Sequence, residues 1–90
     1  MACAKIISME FKSEEDFKIA TEAWAEWYPK NLPPAVIRTS VQTGKKSLMF
    51  IGIFENEELM EQSSQAADEW YKMYGDHIYE TVVFDGPVLD

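Results

Sequence analysis

The chain has 90 residues, 47% hydrophobic and 27% charged, with 16 acidic and 8 basic side chains and a net charge of −8. That length makes one small domain, 1–90, able to bury a little over ~60% of the surface its unfolded form exposes. The negative field repels phosphate backbones and anionic lipid, so neither nucleic acid nor a membrane is an expected partner.

The stretch "AKIISMEF" (4–11) alternates, with Ile7, Met9 and Phe11 on one face and Ser8 and Glu10 on the other, which predicts a first strand. "SEED" (13–16) reads as a helix start with Ser13 as N-cap. Phe17, Ala20, Trp24, Trp27 and Tyr28 then fall on one helical stripe, and Pro29 is expected to stop the helix. "AVIRTSVQ" (35–42) predicts a second strand, and "TGKK" (43–46) a short hairpin loop into a third, "SLMFIGIF" (47–54). Asn56 offers an N-cap to a second helix whose stripe is Leu59, Ser63, Ala66, Trp70, Met73, Tyr74 and His77, with Gly75 as its C′ residue. "HIYETVVF" (77–84) closes the chain as a fourth strand ended by Gly86-Pro87.

The order βαββαβ predicts an α+β, ferredoxin-like fold, an antiparallel four-stranded sheet with both helices on one face. The third strand does not alternate between apolar and polar. Leu48, Phe50 and Phe54 point one way while Met49, Ile51 and Ile53 point the other. Two helices cover one face only, and no chain is left for the second. The expected cover is the same sheet of a second copy, a homodimer closing sheet to sheet. Through "IISMEFKSEEDFKIATEAW", "SLMFIGIFENEELMEQ" and "YETVVFDGPVL" the chain resembles the dimeric α/β-barrel proteins, among them the antibiotic-biosynthesis and haem-degrading monooxygenases. The resemblance implies a dimeric α/β barrel with a ligand in the barrel or between sheet and helices. A haem-degrading relative would carry an asparagine on the first strand, where this chain has Ser8 and Glu10.

Candidate chemistry is sparse. His77, the only histidine, could act as a general base, or it could cap the last carbonyls of its helix. By strand parity Glu10 and Glu80 face the partner sheet together with Arg38 and Ser40, and two neighbouring carboxylates would suit proton transfer. The same charges could equally be an ion pair that fixes dimer register. Trp24, Trp70 and Tyr74, with Arg38, could line a pocket for a flat organic ligand, or the aromatics could be core. Gly52 would make room for a ligand or for Trp24 or Trp70. A lone cysteine, Cys3, no metal-ligand cluster, no signal-peptide pattern and no run of about 18 apolar residues point to a cytoplasmic protein without a metal. The expected function is binding, oxidation or isomerisation of a small aromatic or apolar metabolite without a bound cofactor. The alternative is a non-catalytic binding or assembly module.

Overall fold

The computed structural model describes residues 1–89. The elements run β1 (Cys3–Phe11), α1 (Glu14–Asn31), β2 (Ile37–Gly44), β3 (Ser47–Phe54), α2 (Glu57–Tyr74) and β4 (Ile78–Pro87). The strands form one sheet in the order β2-β3-β1-β4, antiparallel throughout. The βαββαβ order is as the sequence predicts, and β1 and β3 take the central places. Both helices start on the predicted caps. Ser13 Oγ accepts the Asp16 N–H at 3.0 Å, and Asn56 Oδ1 accepts the Leu59 N–H at 2.9 Å. Acidic residues fill both first turns, where the helix dipole favours negative charge.

Several boundaries differ from expectation, each for a local reason. Helix α1 continues through Pro29 to Asn31. A proline so near the end removes one backbone bond only. The last turn still closes: the Trp27 carbonyl accepts from the Asn31 side-chain amide at 2.8 Å, and the Tyr28 carbonyl from the Leu32 N–H at 3.0 Å. Gly75 keeps a right-handed φ of −59° and leads into a short 3-10 turn, Gly75–His77, so it is no left-handed C′ residue. His77 therefore lies beyond the α2 stripe, immediately before β4. That strand does not stop at Phe84. Its register with β1 carries on until Pro87 stands opposite Cys3.

Register settles which side chains share a face. Ile7, Met9 and Phe11 of β1 face the helices, as do Leu48, Phe50 and Phe54 of β3. Ala20, Met60, Ser63 and Trp70 close over them, and Phe11 and Phe54 are each only 1% exposed. The α2 stripe turns slightly from the predicted one: Met60 is buried and Met73 is 54% exposed. The other face carries Ile6, Met49, Ile51, Ile53, Ile37, Val41, Val82 and Phe84. Two parity assignments are overturned. Arg38 and Ser40 stand opposite Gly52 and Phe50 and so belong to the helix side, because β2 gives its apolar set, Ile37 and Val41, to the open face. Arg38 therefore cannot meet Glu80 of a second copy across that face.

Gly52 accommodates neither tryptophan. A Cβ there would lie 3.0 Å from the Phe54 ring and 3.1 Å from the Phe50 ring. Since Phe54 is fully buried, it has little room to yield. We expect Gly52→Val to cost about 1–3 kcal/mol through overpacking, read as a lower urea midpoint at unchanged m-value.

Candidate functional site

Between the sheet and the helices lies a cavity of about 790 Å³. Its floor is built from strand residues two apart, among them Ile7, Met9, Leu48 and Phe50. Its roof comes from Trp24 and Tyr28 of α1 and from Ser63, Ser64, Ala67 and Trp70 of α2. The aromatic rings brace one another. Trp24 meets Phe50 edge-to-face at 5.9 Å and Trp70 at 5.3 Å, and it stacks on Tyr28 at 5.6 Å. Such contacts fix the rings relative to one another, while the small side chains of Ser63, Ser64 and Ala67 leave space beneath α2.

The polar groups of the cavity come from both layers. Arg38 reaches from β2 to donate to the Pro33 carbonyl at 2.8 Å and to Ser63 Oγ at 3.3 Å. Burial lowers its pKa, an effect partly offset by nearby Tyr28. Lys5, on the helix side of β1, donates to Ser64 Oγ, which in turn donates to the Met60 carbonyl at 3.0 Å. Tyr71 is held above the usual phenol value by burial and secondarily by the charge of Asp68.

The predicted site residues are only partly brought together. Trp24, Trp70 and Arg38 line this cavity; Tyr74 does not, and instead borders a shallower hollow with Ile19 and Trp27. Glu10 and Glu80 stand directly opposite each other on β1 and β4, on the open face. His77 also lies outside the cavity, joined to it only by ring contacts, Trp70 to Tyr74 at 5.5 Å and Tyr74 to His77 at 6.1 Å. Its partner is a residue that sequence spacing did not suggest. His77 Nδ1 lies 2.7 Å from Asp16 Oδ1, so the ring N–H donates to the carboxylate of the α1 first turn. The Lys12 N–H donates to the His77 carbonyl at 3.0 Å and completes a clamp between the two halves of the chain. Lys5, Ser63, Ser64 and Tyr71 were missed as cavity groups. For Lys5 the signal was available: it shares the parity of Ile7, Met9 and Phe11, a cation on an apolar face. Among the described residues no group of three acidic, histidine or cysteine side chains could hold a metal, and no helix is long and apolar enough to cross a membrane.

The hydrogen bonds from His77 and from Ser13 hold the Asp16 carboxyl below its ordinary value. A carboxylate lowered in the folded state adds stability above its unfolded value, about 4, and that contribution is lost as pH falls through the folded value. Asp16→Asn should therefore be less stable than wild type at neutral pH, with the gap shrinking in acid below about pH 4. Urea unfolding of both proteins across that range measures it, and a gap independent of pH would contradict the assignment.

No family model and no curated protein matches this sequence significantly. Solved structures do match. A dimeric ferredoxin-like protein from an uncultured marine organism aligns with a TM-score of 0.79 at 11% identity, covering 99% of this chain and 89% of that one. A protein of Nitrosomonas europaea, provisionally described as an antibiotic biosynthesis monooxygenase, aligns at 0.76 and 15% identity, covering 98% of this chain and 90% of that one. A variant of SnoaB, a cofactor-independent oxygenase from Streptomyces nogalater, aligns at 0.67 and 10% identity, covering 92% of this chain and 90% of that one. At such identities the likeness establishes architecture. The chain has the ferredoxin-like fold, and its neighbours in that fold include dimeric ferredoxin-like and antibiotic biosynthesis monooxygenase-like proteins.

Proposed function

We propose that the protein is a homodimer that binds a small planar aromatic metabolite between its sheet and its helices. The observation that carries this reading is the cavity of about 790 Å³ walled by Trp24, Phe50 and Trp70. Its volume lies within the ~300–1,000 Å³ common for small-molecule sites, and an apolar wall with few polar groups is their usual character. Oxidation of the ligand without a bound cofactor is the chemistry suggested by the neighbour described as a cofactor-independent oxygenase. One observation favours binding without catalysis as the second reading: His77, Glu10 and Glu80, the groups suited to proton transfer, all lie outside the cavity.

The dimer reading rests on the open face. Ile37, Val41 and Phe84 there are 47%, 52% and 62% exposed, and the adjoining Ile6, Met49, Ile51 and Ile53 extend the apolar surface across the sheet. A face this apolar favours association, and a structural neighbour is itself described as dimeric.

Ligand binding is tested by titrating naphthol against tryptophan emission in the wild type and in Ala67→Phe, which fills the cavity from the α2 side. We expect binding by the wild type and about tenfold or greater loss in the variant, since a filled site cannot repack at native density. No binding by the wild type, or equal binding by both, would sink the assignment. Oxygen uptake with naphthohydroquinone and no added cofactor then separates oxidation from binding alone. For assembly, we expect a wild-type mass of twice 10.4 kDa by light scattering. Ile51→Asp should yield monomer or aggregate, because it places a charge at the centre of the open face. A variant that keeps the wild-type mass would mean that this face is not the interface.

A further inference from the structure

The cavity has a charged end that an aromatic ligand alone leaves unexplained. Arg38, Gly52 and Lys5 form one cross-strand row on β2, β3 and β1, all on the helix side. Gly52 adds no side chain of its own to the row, and the Phe50 and Phe54 rings lie against it. Lys5 donates to Ser64 Oγ and Arg38 to Ser63 Oγ and the Pro33 carbonyl. The Arg38 guanidinium also lies 5.8 Å from the centre of the Tyr28 ring and 5.9 Å from that of Phe54. Every one of these partners is neutral.

That pattern is unexpected in a chain with 16 acidic and 8 basic residues. Among the described residues neither cation forms an ion pair. Asp85 is the cross-strand partner of Lys5 yet makes no such contact, and Asp68, the carboxylate on the cavity lining, is exposed on α2. Two donors in the same cavity also lack an acceptor among the described residues: Arg38 Nε and Trp70 Nε1. Trp70 is 3% exposed, so water is largely kept from its ring. Unmatched donors are unfavourable until an acceptor arrives, and half-buried cations favour one that carries negative charge.

We propose that the cavity takes an organic anion, with a flat aromatic body against Trp24, Phe50 and Trp70 and a carboxylate received by Arg38 and Lys5. This rests on the cavity being the ligand site proposed above. A carboxylate suits the planar fork of arginine, and Lys5 adds a second positive charge. In a mostly apolar site of low effective dielectric, these charges count for more than they would in water.

The test compares naphthoate with naphthamide, which share a ring system and differ in charge. Affinities are measured by calorimetry on the wild type, on Arg38→Gln and on Lys5→Gln. We expect naphthoate to bind the wild type about tenfold or more tightly than naphthamide, as charged hydrogen bonds exceed neutral ones by that order. Either variant should lose most of that preference, read as the ratio of the two affinities within each protein. Equal binding of the two ligands by the wild type would overturn the anion site and leave the aromatic cavity standing. Binding of neither would overturn both. If naphthoate is preferred but both variants keep the full preference, the cations serve only to tie the sheet to α2 and the proposal fails. The comparison on the wild type needs no variant to fold.

Discussion

The structure depends on one constraint: β3 is apolar on both sides. Leu48, Phe50 and Phe54 must be covered on one face while Met49, Ile51 and Ile53 must be covered on the other. Each large side chain left in water would forgo about 1.5–3 kcal/mol. The helices satisfy the first face, where Phe54 is 1% exposed against Met60 and its neighbours. They cannot reach the second. β1 continues that face with Ile6, and the edge strands add Ile37, Val41, Val82 and Phe84, so the demand spans the sheet. A second copy of the same surface is the cover we assign to it, and this choice directs any ligand to the helix side.

On the helix side the packing is uneven, and the unevenness makes the site. Trp24, Trp70 and Phe50 meet edge-to-face, a geometry that fixes ring positions without filling all the space between them. Two turns away along α2, Ser63 and Ser64 are small side chains on the cavity lining and leave space beneath the helix. Lys5 and Arg38 extend into the space that remains and take hydroxyl partners from α2. The cavity thus carries aromatic walls and two cations together, the cations meeting α2 where it presents the small residues Ser63 and Ser64.

Much of this was legible in the sequence, and the failures are instructive. Alternation gave β1 and its inward set Ile7, Met9 and Phe11, and Ser13 and Asn56 announced both helix starts. Arg38 and Ser40 were misplaced because β2 is an edge strand whose apolar residues face the open side. The usual inference that the more apolar face meets the helices fails when both faces of the sheet need cover. Helical spacing aligns His77 with the α2 stripe, but α2 ends at Tyr74 and Gly75 does not take the left-handed conformation of a C′ glycine. The glycine instead continues into a 3-10 turn, and this turn carries the ring to Asp16, a partner 61 residues away in sequence. No local spacing could have revealed that pair. Trp24, Trp70 and Arg38 were legible as pocket-lining residues, but the shape of the cavity was not, since it arises from how the rings fit and not from which residues are apolar.

The central claim is that the two faces of the sheet have separate tasks, one packed on helices around a ligand space and the other packed on a second copy. The most direct measurement is an isotope-filtered NMR experiment on a mixture of labelled and unlabelled chains, recording contacts between copies only. The expected result is intermolecular contacts from the methyl groups of Ile6, Ile51 and Val82, with none from Ile7 or Met9. Absence of any contact between copies, or contacts confined to the outer surfaces of α1 and α2, would contradict it.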